Sequence, residues 1–279
     1  MKVKLIFEVR DIWPLTLTSL GGYSKYHPFI IFSRALEKIA YKLSDNVVSN
    51  LPFAYRHMVR SGMKRKKFHW IPNGFDFDSV REKNVLPNSI LELIDTSCFS
   101  VVYTGSVGIA NHLDVLIKAA DILKDDKSIK IYIVGDGQVK NTLKKQCESL
   151  NLSNVIFIDP LPKPLINSLL NYFDVCYLGW GKHSLYEFGI APNKLPEYMY
   201  ASKPVIHSFS GKGDIVRDFC AGLSVPAEAP TEIANAIKQL KTMPESERLK
   251  LGSNGKNGIV KHFSYQHLAE KYLKIMQQK

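Results

Sequence analysis

This chain of 279 residues has no closely spaced cysteines. Cys98, Cys147, Cys176 and Cys220 stand far apart and no C-x-x-C pair occurs. That excludes a zinc ribbon or a disulfide framework, and a reducing compartment is the expectation. No apolar run approaches the roughly 20 residues that span a bilayer. The opening Met1-Lys2-Val3-Lys4-Leu5-Ile6-Phe7-Glu8 meets charge too early for a secretory core. A soluble, cytoplasmic protein is therefore expected, with a peripheral place at the inner face of the cell membrane left open. There is no G-x-G-x-x-G and no P-loop, so neither a Rossmann dehydrogenase nor an NTPase is supported. No zinc finger, RNP-type aromatic strand or K-homology loop occurs, which ranks nucleic acid last among partners. Internal repeats and low-complexity segments are also missing.

Acidic residues are in deficit, 26 against 37 Lys and Arg, for a formal net charge of +11. Residues 1–82 carry 14 Lys and Arg against 7 Asp and Glu, which leaves 23 against 19 for the remainder. The excess thus gathers in the amino-terminal third, where Lys64-Arg65-Lys66-Lys67 forms a run. Such a run is either a solvated loop or a contact for an anionic membrane or substrate. A hydrophobic content of 45% is ample for packed cores. The length suits one large or two modest domains.

Periodicity divides the chain. The turn Asn73-Gly74-Phe75-Asp76 and the polar, proline-bearing residues 83–88 read as a linker. Beyond it, short β-branched runs at 100–104, 129–134, 154–158, 174–178, 204–207 and 223–225 read as strands. Between and after them, amphipathic stretches at 112–123, 139–150, 165–172, 193–200, 214–220, 231–241 and 245–256 read as helices. This alternation predicts βαβ units with right-handed crossovers and a doubly wound parallel sheet of about six strands. Before the linker, strands are predicted at 5–9, 46–49 and 67–71, with helices at 29–42 and 53–60.

In such sheets ligands sit beyond the carboxyl ends of the strands, where strand order reverses. Three loops fall there: Gly105-Ser106-Val107-Gly108, Gly135-Asp136-Gly137, and the segment from Glu187 to Glu197. In the last, Asn193 is a suitable N-cap and Pro196 fits only a first helical turn. Lys194 and Glu197 then lie at the positive end of a helix, where free N–H groups favour an anion. A diphosphate on the amides and Lys194, with hydroxyls on Glu197, suits a sugar nucleotide. An ordinary capped helix with a solvated Lys and Glu would read the same way from this segment alone.

In this order and spacing, the stretches 8–14, 71–76, 103–106, 134–137, 192–199 and 203–206 resemble glycosyltransferases of family 4 (group 1). The resemblance covers nearly the whole chain and is closest to the branch that makes bacterial surface polysaccharides. It implies an α/β GT-B-like fold: a complete carboxyl-terminal Rossmann-like domain and a partial amino-terminal one. The boundaries expected are 1–82 for the acceptor side, 83–258 for the donor-binding domain, and 259–279 for a helix packing back toward the amino-terminal part.

It also implies an enzyme that retains anomeric configuration and needs neither cofactor nor metal. The donor would be a UDP- or GDP-linked sugar, the acceptor a glycan or a polyprenyl-diphosphate-linked sugar. By the same resemblance Glu187, Lys194 and Asp11 are catalytic candidates. Gly105, Ser106, His112, Gly135, Gly137, Phe188, Gly189, Asn193, Leu195 and Glu197 would bind the donor, with Glu197 on the ribose. Arg10 and Trp13 would face the acceptor, although Arg10 and Asp11 also read as a strand-end salt bridge.

Three features depart from the family. Glu187 and Glu197 enclose nine residues where seven are usual, and Gly189 holds the standard first position. No Arg or Lys follows the first glycine turn, so His112 or Lys194 must serve as the diphosphate clamp; His112 equally reads as an ordinary helix-start residue. Relative to the family, about a hundred residues before the strand at 5–9 are missing. That strand should then present an open edge. A partner chain completing the half-domain is expected, or else a non-catalytic donor-binding remnant. The basic, aromatic residues 23–41, with Tyr26, Phe29, Ile30 and Phe32 among Lys25, Arg34 and Lys38, read either as a membrane-surface helix or as a core-facing one.

Overall fold

The computed structural model describes residues 3–80 and 84–277. Met1 and the expected boundary between residues 82 and 83 lie outside them. Three parallel strands, β1 (Ile6–Val9), β2 (Asn46–Ser49) and β3 (Phe68–Trp70), form one sheet in that order. Six more form the second: β4 (Phe99–Thr104), β5 (Ile129–Val134), β6 (Val155–Ile158), β7 (Val175–Gly179), β8 (Val205–Ser208) and β9 (Gly222–Val225). Their spatial order is β6-β5-β4-β7-β8-β9, every pair parallel. Strand order therefore reverses between β4 and β7, and ligand-binding crevices in such sheets open there.

The predicted strands all form, because a parallel sheet covered on both faces demands unbroken apolar runs. Val101, Val102, Ile131, Ile133, Val175 and Cys176 are all fully buried. Helix Leu113–Ile122 closes one face through Leu113, Leu116 and Ile117, and helix Pro230–Thr242 does the same through Ile233, Ile237 and Leu240. Pro230 sits at the first helical position, where its missing N–H costs nothing.

The linker expectation needs correction. Leu86 is buried and the Asn84 backbone N–H donates to Ser168 Oγ at 2.8 Å, so this polar segment is fastened to helix Lys163–Leu170. Residues 88–91 are helical. The helix predicted to end at 256 runs from Glu245 to Phe263, breaks at the extended Ser264, and continues as Tyr265–Gln277. That last helix lies against the three-stranded sheet. Lys271 Nζ lies 5.6 Å over the Trp70 ring and Lys4 Nζ reaches Met276 O at 3.4 Å, while at the end of the preceding helix Phe263 O accepts from Phe75 N–H at 2.8 Å.

β1 is an edge strand, as the sequence led one to expect, and Leu5 beside it is half exposed. The basic aromatic segment becomes helix Pro28–Leu43, and neither single reading describes it. Ile30, Glu37 and Tyr41 face the core, while Phe29, Phe32, Leu36, Ile39 and Leu43 form a stripe open to solvent. The basic run is only partly a solvated loop. Lys67 Nζ donates to the carbonyls of Tyr41, Lys42 and Ser44, capping that helix, and Arg65 lies over the Tyr55 ring at 4.1 Å.

Candidate functional site

A cleft of about 470 Å3 opens at the carboxyl ends of β4, β5 and β6. Its floor is two crossed glycine turns. Gly105 has φ +119° and Gly135 φ +141°, backbone that L side chains rarely adopt. They touch: Gly105 N–H donates to Val134 O at 2.8 Å, and a Cβ on Gly135 would lie 2.0 Å from Gly105 O. Val107 N–H donates to Asp136 O at 2.8 Å, so the two turns hold each other.

Helix Lys194–Tyr200 brings the charges to that floor. Tyr198 is buried, and its hydroxyl accepts from Thr104 N–H at 2.9 Å and lies 3.2 Å from Thr104 O. This ties the helix to the end of β4 and points its first turn into the cleft. Lys194 packs on the bare α-carbon of Gly105, where a Cβ would lie 2.3 Å from its Cε, and its ammonium sits 5.4 Å over the Tyr103 ring. Desolvation lowers the Lys194 pKa, with Glu197 pulling the other way. Desolvation raises the Glu197 pKa, against the pull of Lys163, whose ammonium lies 3.4 Å away, and of Lys194. Burial thus biases both groups toward neutrality, and an anion held against Lys194 would favour its charged form.

The structure brings Gly105, Ser106, Gly135, Asn193, Lys194 and Glu197 together in this lining. Gly137 belongs to the same turn as Gly135 and stands against the Val107 backbone. Leu195 buries its side chain in the core and can offer only its backbone N–H, which as a first-turn group lacks an intrahelical acceptor. His112 is the left-handed residue (φ +44°) that opens helix Leu113–Ile122, and its imidazole abuts Gly181 beyond β7. It therefore stands at the strand-order reversal.

Asn193 precedes its helix as expected but does not cap it. Its Oδ1 accepts instead from Asn73 Nδ2 at 3.2 Å, which leaves the first-turn N–H groups without a side-chain partner.

Other residues lie elsewhere. Phe188 is 2% exposed within the amino-terminal core, beside Val9, Ile12 and Met58, and its carbonyl accepts from Phe53 N–H at 3.0 Å. It anchors the loop rather than lining the cleft. Gly189 abuts Pro52, and Glu187 is exposed on the turn Ser184–Phe188 outside the cleft lining.

On the other half, Arg10, Asp11 and Trp13 are exposed beyond β1. The Arg10–Glu8 separation is 3.8 Å, an exposed pair of little energetic weight. Arg10 Nη2 donates to Asn73 Oδ1 at 3.2 Å, and Asn73 Nδ2 donates to Ala191 O at 2.9 Å. Sequence reasoning left Asn73 and Lys163 out of the site. Asn73 lies in one of the family-like stretches, and Lys163 follows β6, where the strand-end rule already pointed. Among the described residues no three His, Cys, Asp or Glu side chains converge as metal ligands.

Residues 92–258 match the family profile "Glycosyl transferases group 1". The chain belongs to that family. One curated relative, the poly(ribitol-phosphate) alpha-N-acetylglucosaminyltransferase of Staphylococcus aureus strain COL, is 25% identical over 171 residues, 58% of this chain and 32% of that protein. The match therefore spans about a third of the relative's length. Anabaena HepE, solved with UDP and glucose, superposes with a TM-score of 0.71 at 17% identity, over 99% of this chain and 72% of that one. A mutant of S. aureus TarM, solved with Fondaparinux, alpha-GlcNAc-glycerol and UDP, gives 0.66 at 19% identity, over 99% and 51%. These likenesses carry the fold, which is GT-B-like, with this group 1 chain covering part of it. Among the described residues no helix is long and apolar enough to cross a membrane.

Proposed function

We propose that this chain binds a nucleoside-diphosphate sugar in the cleft at the ends of β4, β5 and β6, and passes the sugar with retention to a glycan or lipid-linked acceptor in surface-polysaccharide assembly. One observation carries the reading: Lys194 and Glu197 line one cleft with the glycine turns that follow β4 and β5, beside a helix start whose N–H groups have no side-chain cap. The diphosphate lies along the turns and the start of helix Lys194–Tyr200. Lys194 meets the negative charge that builds as the nucleoside diphosphate leaves, the term to which fixed donors contribute most. Glu197 accepts from ribose hydroxyls. UDP is the favoured nucleotide, since the structural relatives HepE and TarM were solved with it. Arg10, Asp11 and Trp13 take the acceptor.

A second reading is supported by the open edge of β1 and by the solvent-facing stripe on helix Pro28–Leu43. In it the chain binds the donor alone, and acceptor binding needs a further polypeptide on that face.

Calorimetric titration with UDP- and GDP-sugars tests the donor site, repeated on Glu197→Ala. The variant should lose about 1.5–3 kcal/mol of nucleotide affinity, the range for hydrogen bonds to a charged group. Unchanged affinity removes Glu197 from the ribose. Turnover by the isolated chain favours the first reading over the second.

A further inference from the structure

Trp180 leaves the end of β7 and opens the loop that carries Glu187. An indole N–H can only donate. It points at His207 Nε2, 3.0 Å away, and His207 Nδ1 lies 2.8 Å from Asp214 Oδ1. With Nε2 accepting, the proton must sit on Nδ1 and be donated to Asp214, so the tautomer follows from the partners. His207 is fully buried on β8 and Asp214 is 4% exposed, so the bond between them is closed to water, while Trp180 is half-buried. Asp214 is fixed in turn: the same oxygen accepts from Val216 N–H at 3.1 Å and so caps the short helix Ile215–Asp218.

The rest of the loop is fastened to this chain of bonds. Tyr186 meets Trp180 edge-on at 5.5 Å and Phe209 at 5.8 Å, while Phe209 stacks on His207 at 5.0 Å. Tyr186 O accepts from Lys212 N–H at 3.0 Å, and Lys182 N–H donates to Glu228 Oε1 at 2.7 Å. Gly181 closes against the His112 imidazole at the strand-order reversal. A leucine at 207 would fill the same space. The imidazole adds direction, because it accepts from Trp180 on one side and donates to Asp214 on the other; Asp214 Oδ1 is fully engaged, while its Oδ2 is buried without a hydrogen-bond partner.

We propose that His207 is a positioning residue: through its bond to Trp180 it sets the 180–189 loop, and with it the packing of Gly181 against His112 at the strand-order reversal beside the donor site. The functional half of this statement rests on the donor-site reading above, while the mechanical half does not.

Three variants separate the bonds. In His207→Gln the amide oxygen falls near Nε2 and can still accept from Trp180. In His207→Asn the amide falls near Nδ1 and serves only Asp214. Trp180→Phe keeps the ring and removes the N–H.

Hydrogen–deuterium exchange of the Leu185, Tyr186 and Gly189 amides in the free protein should quicken roughly tenfold or more in Trp180→Phe and His207→Asn, as expected for a lost buried bond. His207→Gln should recover most of the protection. The double variant should be no worse than either single one, because both remove the same bond. With UDP-sugar as donor, the affected variants should raise donor KM several-fold more than they lower kcat.

Unchanged exchange in Trp180→Phe and His207→Asn, or a His207→Gln as unprotected as His207→Asn, overturns the proposal. Should His207→Asn lose cooperative unfolding, Trp180→Phe carries the same comparison. If the wild-type chain binds no nucleotide sugar, the donor reading falls, and exchange in the free protein still decides what His207 does.

Discussion

Two alanine substitutions, one in each of the crossed glycine turns, should behave differently, for reasons visible in the cleft floor. Gly105 and Gly135 both hold backbone angles that a side chain strains, at a cost of about 1–3 kcal/mol each. What their new methyl groups meet is not alike. On Gly105 the methyl would lie 2.3 Å from Lys194 Cε, the flexible part of a long side chain that can swing away. On Gly135 it would lie 2.0 Å from the Gly105 carbonyl oxygen and 2.9 Å from its carbon, which are backbone atoms held by the bond to Val134. Overpacking against atoms that cannot rotate away adds about 1–3 kcal/mol. Gly135→Ala should therefore cost about 2–6 kcal/mol of stability against about 1–3 for Gly105→Ala. Gly105→Ala should nevertheless be the more specific lesion, because displacing Lys194 removes the cation from the diphosphate. Urea unfolding at constant slope gives the two stabilities, and UDP titration gives the affinities. A Gly105→Ala protein that binds UDP as the wild type does would refute the packing of Lys194 against Gly105. Equal destabilisation by the two changes would refute the rigidity assigned to the crossed turns.

Nucleotide affinity should depend on pH in a way set by the same cleft. Lys194 binds as a cation and desolvation lowers its pKa, so affinity should fade as pH rises and do so below the ordinary lysine value of 10.5. Glu197 accepts as a carboxylate and desolvation raises its pKa, so the acid limb should begin above 4.5. Limbs at the unshifted values in a pH series of UDP titrations would contradict both. Lys67→Met should uncap helix Pro28–Leu43 by removing three charge-assisted bonds, at about 1–2 kcal/mol after allowance for partial exposure; a urea midpoint indistinguishable from wild type would show that water replaces them. Lys241 and Ser128 hold the Asp126 carboxyl at about 2, below its ordinary 3.8. With the folded pKa depressed, the pair stabilises the protein above about pH 4 and the contribution is lost as pH falls toward 2. Lys241→Met should cost under about 1 kcal/mol at pH 6, as for other half-exposed pairs, and nothing at pH 2, and an equal cost at both would show that charge is not the cause.

What could be read from the sequence is what depends on neighbours along the chain. Strands such as Ile129–Val134 are unbroken apolar runs, and the site's core, Asn193 to Glu197, lies within one helical turn of itself. Signals set by distant partners misled. The helix expected to end at 256 runs on to Phe263, through Gly258, which is packed so closely that a Cβ would lie 2.4 Å from Phe219 Cδ2. Asn193 has the composition of a cap, but a residue 120 positions away claims its side chain. The nine residues between Glu187 and Glu197 have the same kind of cause. Between β7 and helix Lys194–Tyr200 the chain dips far enough for Phe188 to enter the amino-terminal core and for Phe53 N–H to reach its carbonyl. A loop that leaves β7, plugs the other half and returns to helix Lys194–Tyr200 needs extra length, and its first glutamate is carried out of the cleft that holds the second. Asn73, bonded to Arg10 on one side and to Ala191 and Asn193 on the other, joins the same two halves from beyond the carboxyl end of β3. Helix Lys194–Tyr200 is thus oriented from both halves at once, which makes the amino-terminal sheet part of the support of the cleft that holds Lys194 and Glu197.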